Sequence, residues 1–385
     1  MTLATHDEIR IHGTVAPGFE AVRDRFVANF TRDDDSREVG AAVAVYRHGS
    51  LVVDLWAGFR DEARREPWTA DTLVNVWSTT KGVTAIALAR LVDQGKVDYA
   101  APVAAYWPEF AQAGKADITV AQLVSHQAGL PGFVDPTPLS DFYDWETVAS
   151  RLAAQAPMWE PGTKNSYHAM TYGFLAGEII RRVSERSVGR FVAEEIAGPL
   201  GADVHIGLAE RDEPRVAAMI PPKAGEGFDP ATMPPEALAA VANPAMEPTI
   251  PHDRAWRAAE VPAGNGHATA LGLARIFGAL ANGGELDGVR LMSPETIAKL
   301  TTVQTRREDV MLGFKPFWAH GVALNDSGVF GPRPGTFGHS GWGGSFACAD
   351  PGTGVAIGYV MNQMGGGLVG DPRAVGLCHA VFASL

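Results

Sequence analysis

Cysteine is scarce: Cys348 and Cys378 are the only two in 385 residues, and neither sits in a Cys-x-x-Cys pair. A disulfide framework is therefore excluded as the organising device, and no dithiol redox motif is present. No stretch approaches the roughly 20 apolar residues that a membrane-spanning helix needs. Met1–Glu8 carries neither a basic nor an apolar region, so no signal peptide is expected and a cytoplasmic location is. Basic runs are missing too: 44 acidic side chains outweigh 32 basic ones, for a formal net charge of −12. That balance argues against nucleic acid and against a membrane surface as partners. Three chemical signatures are also absent. The chain has no G-x-S-x-G elbow, no G-x-x-x-x-G-K-[ST] phosphate loop and no H-E-x-x-H zinc motif. The glycine-rich runs Gly338–Gly344 and Gly365–Gly367 do not lead into a dinucleotide-binding helix. No cofactor and no metal are expected.

What is present is an ordinary globular composition, 46% hydrophobic and 20% charged, long enough for one large domain or two intimate ones. Phe19, Val22, Phe26, Val27 and Phe30 mark an amphipathic helix over Pro17–Phe30. Val39–Tyr46 and Leu51–Gly58 flank a glycine turn and read as a hairpin. Helical patterns follow from Ser78, over Thr119–Val124, Trp145–Ala154 and Tyr172–Arg182, then from Gly264 to Ala281 and over Pro294–Leu300. Between them, Pro214–Pro262 is rich in proline and alanine and reads as a partly helical excursion over the surface. From Gly313 the texture is β: Gly321–Leu324, Gly335–His339, Gly343–Asp350 and Val355–Met361, closed by a helix over Asp371–Leu385. Strands at both ends and helices in the centre predict an α/β (α+β) chain. Its division is a domain of residues 1–75 with 285–385, a mainly helical domain of 76–284, and a site at their interface.

Ser78-Thr79-Thr80-Lys81 opens the helix marked by Val83, Ile86, Ala87, Leu91 and Val92, with Gly95 as its stop. Ser78 and Lys81 share one helical face. A serine at a helix N-terminus sits beside free backbone N–H groups that can stabilise an oxyanion. A desolvated amine one turn away can take its proton. The same four residues are equally compatible with a helix cap and a solvated lysine. His126, in the loop Ser125–Gly132, reads as a buried histidine bonding loop carbonyls rather than a catalytic group.

Ser78–Lys81 is followed in order by Tyr167-His168-Ala169 and His339-Ser340-Gly341. With this trio the chain resembles the serine β-lactamase and penicillin-binding superfamily, particularly class C β-lactamases and family VIII carboxylesterases. Leu123–Leu130, Leu273–Gly284 and Gly338–Gly344 resemble further landmarks of that group. The resemblance implies a β-lactamase-like fold, an antiparallel sheet flanked by N- and C-terminal helices with a mainly helical insertion. It also implies Ser78 as the acylated nucleophile, with Lys81 and Tyr167 sharing proton transfer. Either could be the resting base, because an ammonium lowers a neighbouring phenol while burial lowers the amine. The oxyanion is expected between the N–H groups of Ser78 and Trp342.

Two positions depart from the family pattern. Ala169 stands where an asparagine is expected, and His339 where a lysine is. Both changes weaken the grip on an anionic acyl-amide, since histidine is mostly neutral at pH 7. Arg333 is the one candidate to restore carboxylate affinity. The expected activity is thus hydrolysis of a neutral small-molecule ester by a serine carboxylesterase. A β-lactamase, a D-amino-acid peptidase, an acyltransferase and a non-catalytic penicillin-type binder are the alternatives. Phe133, Tyr143, Trp145, Trp342 and Ala169 are expected to border an apolar acyl pocket, while Trp77 reads as core.

Overall fold

The computed structural model describes residues 9–223 and 232–385. Met1–Glu8, on which the expectation of no signal peptide rests, and residues 224–231 of the proline-rich excursion lie outside them. The described chain is built on an eight-stranded sheet whose paired neighbours all run antiparallel. Its strands are β1 (Ile11–Val15), β2 (Gly40–Arg47), β3 (Ser50–Gly58), β4 (Phe317–Trp318), β5 (Ala323–Leu324), β6 (Phe337–Ser340), β7 (Phe346–Asp350) and β8 (Val355–Met361). In space they run β1-β3-β2-β8-β7-β6-β5-β4. The β2–β8 ladder, with Val43 opposite Tyr359 and Val45 opposite Ile357, joins the two ends of the chain. The expected hairpin is β2–β3, with a register shift between Val45 and Tyr46.

Helices cover both faces of this sheet, and β8 shows why. All seven of its residues are buried, and successive side chains along a strand point to opposite faces. On the Gly358 face lies α4 (Ala270–Ala281), so close that a Cβ at Gly358 would sit 2.4 Å from the Ala270 carbonyl oxygen. The sequence division allots this helix to the helical region; in space it lies on the sheet. On the Tyr359 face lies α5 (Pro372–Ala383), packed with α1 (Glu20–Phe30). Arg373 of α5 is fully buried there and donates to Asp371, to Glu38 at 3.1 Å, to the Gln363 carbonyl at 2.9 Å and to the Gly343 carbonyl at 2.7 Å. Tyr359 donates its hydroxyl to the same Glu38. One guanidinium therefore fastens the last helix to the sheet and to the turn after β6.

The central helix α2 (Thr79–Asp93) departs from its expected one-sided pattern. Its threonines and Lys81 are buried along with its apolar residues. It lies between α3 (Thr171–Ser184), the helix Pro294–Leu300 and strand β6, so it has no solvent face to speak of. Its polar side chains are satisfied locally: the Thr84 hydroxyl donates to Pro262 O at 2.7 Å, and Thr80 Oγ1 accepts from Gly266 N at 2.9 Å. The proline-rich excursion is likewise not confined to the surface. Trp256 and Val261 are wholly buried. Apolar collapse outweighs its weak periodicity because Trp256 packs on Trp77, with ring centroids 6.0 Å apart. No helix among the described residues is long and apolar enough to cross a membrane.

Arg373→Met should lower the free energy of unfolding by about 3–5 kcal/mol, the usual cost of leaving a buried carboxylate unpaired. Urea denaturation checks this; a variant as stable as the parent would show that the guanidinium does not fasten the last helix.

Candidate active site

Ser78 is the N-cap of α2, and the chain enters it through a strained residue. Trp77 has φ of +46°, a left-handed conformation that a bulky side chain rarely adopts. Its ring is buried and lies 5.1 Å from that of Trp342, in keeping with the core reading. The segment before it is held by the Val76 N–H donating to Gly266 O at 2.8 Å, beside a short ladder that pairs Val74 with Ala268. This ladder draws Ala263 toward the start of α2. Strand β6 closes in from the other side. A Cβ at Gly341 would lie 2.2 Å from the Val76 carbonyl oxygen, so only glycine permits the approach. Ser345 stitches the two together, donating to Val76 O at 2.8 Å with its hydroxyl 3.1 Å from that of Thr79.

Within this frame Lys81 Nζ lies 3.0 Å from Ser78 Oγ and donates to the Ala263 carbonyl at 2.9 Å. It stands 4.7 Å above the ring of Tyr167, which lines the same cleft as Ser78. The three residues meet as the sequence predicts. Burial, with no carboxylate alongside, pushes the Lys81 amine well below its ordinary value. Burial acts on Tyr167 in the opposite sense and raises the phenol, helped by the nearby Asp309 charge. Desolvation thus acts on both groups toward the uncharged form, against the expected lowering of the phenol by an ammonium. Neither the Ser78 N–H nor the Trp342 N–H donates to a backbone carbonyl among the described residues. Trp342 itself is half-buried.

His339 is buried on β6. Its Nδ1–H donates to Ser340 O at 2.8 Å, which leaves Nε2 a lone-pair acceptor, buried and without a partner. Burial holds its pKa down at about 3. Arg333 does not line the cleft beside Ser78, and its Nε donates to Asp350 at 2.6 Å. His126 is buried as expected, but it does not bond loop carbonyls. Its Nδ1 accepts from the His168 N–H at 3.1 Å, and its ring packs 4.4 Å from Trp318 and 4.9 Å from Tyr167.

Beside Ser78 opens a cleft. Tyr167, Trp318, His339 and Ser340 line its inner end, and apolar side chains such as Leu312, Phe314, Leu324 and Phe330 line the rest. The expected pocket residues Phe133, Tyr143, Trp145, Trp342 and Ala169 do not line it. Phe133 packs on Phe142 at 6.0 Å. Trp145 packs on Phe174 at 5.1 Å and donates to Glu178. Tyr143 and Ala169 are half-buried against the hydrophobic core. Aromatic density on the helical side reflects core packing, which a sequence cannot tell from a pocket wall.

Two functional candidates escape the sequence reading. Asp309, wholly buried, accepts from the backbone N–H groups of Tyr167 at 2.9 Å, Met311 at 3.1 Å and Leu312 at 3.1 Å. Trp318 stacks on Tyr167 with centroids 5.7 Å apart and 12° between planes, and its indole N–H donates to Asp309 at 3.4 Å. Both fix the tyrosine. The available signal was three aromatics, Phe314, Phe317 and Trp318, crowded into a non-periodic segment. The excursion also contributes, for its helix Pro235–Ala242 packs Ala237 and Ala240 into the cluster that holds Tyr167 and Trp318.

With ¹⁵N-labelled lysine, the Lys81 side-chain resonance should titrate well below the ordinary value of about 10.4, and Lys81→Met should remove it. A Lys81 signal titrating with the exposed lysines would contradict the assignment of an uncharged amine.

A model of the β-lactamase family matches residues 24–377. The chain is 38% identical to "Esterase/beta-lactamase LipL" of Mycobacterium tuberculosis, over 97% of this chain and 88% of that protein. It superposes on the crystal structure of a family VIII carboxylesterase with a TM-score of 0.93 and 47% identity, covering 98% of this chain and 100% of the other. A penicillin-binding protein homologue from Caulobacter crescentus gives a TM-score of 0.92 and 46% identity, with the same two coverages. With the family model spanning nearly the whole chain, and a relative more than a third identical aligned along almost all of it, this protein belongs to the β-lactamase family and is a serine hydrolase.

Proposed function

We propose that the protein is a carboxylesterase acting on neutral esters with short to medium acyl chains. One observation carries this reading: Ser78, with the Lys81 amine at 3.0 Å, opens onto an apolar cleft whose lining, among the described residues, holds no lysine or arginine. A lactam or D-peptide substrate brings a carboxylate that needs a cationic partner. Here burial lowers the His339 pKa to about 3, and Arg333 does not line the cleft. A neutral ester needs no such partner, and its alkoxide leaves more readily than an amine.

In this mechanism Lys81 is the resting base, because its amine is the group that burial leaves free to accept a proton. Ser78 Oγ attacks the ester carbonyl carbon as its proton passes to Lys81 Nζ. The tetrahedral oxyanion lies against the N–H groups of Ser78 and Trp342, donors worth about 3 kcal/mol each in such sites. Collapse breaks the bond to the alkoxide, which takes a proton from Lys81 by way of the Tyr167 hydroxyl. Water then attacks the acyl-enzyme by the same route in reverse. The relative named an esterase/beta-lactamase keeps lactam hydrolysis as a second reading.

p-Nitrophenyl butyrate and a chromogenic cephalosporin separate the two. The expected kcat/KM favours the ester; turnover dominated by the cephalosporin would sink the proposal. Ser78→Ala should reduce ester turnover on the order of 10⁴-fold or more while leaving the fold intact. The pH profile carries a sign. A lowered Lys81 pKa means that kcat/KM is already on its plateau at neutral pH and falls only toward acid, as the amine is protonated. A rate still climbing toward pH 10 would return Lys81 to an ordinary lysine. Its titrating neighbours, His126 and His339, are held neutral by burial and should add no limb near neutrality.

A further inference from the structure

Among the described residues, the cleft beside Ser78 has one charged side chain in its lining, and the charge is negative. Among the lining residues only Tyr167, His339 and Asp326 titrate. Burial keeps the first two uncharged, so Asp326 sets the electrostatic sign of the cleft. Asp326 follows β5, where its N–H folds back onto Leu324 O at 3.0 Å. Partial burial raises its carboxyl from the ordinary value, and the backbone N–H groups of Asp326 itself, Ser327 and Phe317 act in the opposite sense. No cation among the described residues neutralises it, since burial and backbone amides are the only influences upon it. Arg306 is close by in the fold but stacks on the Phe317 ring, 4.6 Å from its centroid, and makes no ion pair with Asp326.

We propose that Asp326 is a specificity-determining residue that keeps carboxylate-bearing esters out of the cleft and leaves neutral and cationic esters as the accepted class. The inference rests on the ester-hydrolase reading and adds to it a repulsive element, which is distinct from the missing attraction at His339 and Ala169. Loss of an anchor lowers affinity for an anion toward that of a neutral analogue. A fixed like charge drives it lower still, and discrimination between similar substrates commonly needs such an element. Asp326 is exposed at the cleft, so water screens the repulsion and the expected effect is about fivefold.

The test uses three p-nitrophenyl esters of matched chain length: hexanoate (neutral), the adipate monoester (anionic) and 6-aminohexanoate (cationic). The readout is the ratio of kcat/KM for each charged ester to that for hexanoate, so that any general loss cancels. Wild type should disfavour the adipate monoester. Asp326→Asn keeps an oxygen for the Ser327 and Phe317 N–H groups. It should raise the anionic ratio about fivefold and lower the cationic one. Asp326→Lys should move both ratios further in the same directions. Hexanoate turnover with ratios unchanged within about twofold in both variants would overturn the role of Asp326 and leave the esterase reading standing. No turnover of any of the three esters by the wild type would overturn both.

Discussion

A lysine amine buried without a counter-charge is the constraint from which the rest of this site follows. Lys81 Nζ has a carbonyl, a hydroxyl and the face of an aromatic ring around it, and no carboxylate. An ammonium there would be poorly solvated, so the group is kept as a free base. That state depends on every element that excludes water from α2: β6 on one side, α3 on another, and the excursion that delivers Ala263 O. The strained entry at Trp77 and the close approach at Gly341 are the local consequences of packing these elements around one helix end.

The same desolvation sets the chemistry of the neighbours. Tyr167 is driven toward its protonated form and His339 toward its neutral one. The inner site therefore presents hydrogen-bonding groups without fixed charge, bounded by an apolar cleft. Asp309 is the exception that serves the arrangement. Its carboxylate is satisfied by three backbone N–H groups and one indole, and it holds the tyrosine from behind rather than facing the cleft.

Much of the fold was legible because its segments are locally consistent. The β2–β3 hairpin, α1, α3, the helix Trp145–Ala154 and strands β6 to β8 fall within a few residues of their expected places. Ser78, Lys81 and Tyr167 were legible because each sits in a short motif whose order along the chain is diagnostic. The acyl cleft was not. Its walls come from Leu312–Phe330 and Leu368–Val369, segments with no strong period and mostly short elements. Phe133 and Trp145 looked like walls because aromatic side chains suit a pocket and a core equally well. The excursion was read as surface because its proline and alanine content hides the few anchors, Trp256 and Val261 above all, that pull it inward.

The sequence by itself determined which groups could react: a serine and a lysine one helical turn apart, a tyrosine far along the chain, and a histidine and an alanine where cationic and amide anchors are expected. These are covalent facts of residue type and order. Only the tertiary structure decided their charge states, since a pKa depends on the water and charges that remain around a group after folding. It also decided the shape and sign of the cleft, because Asp326, Trp318 and Asp309 reach the site through long-range strand pairing and packing that no local pattern encodes.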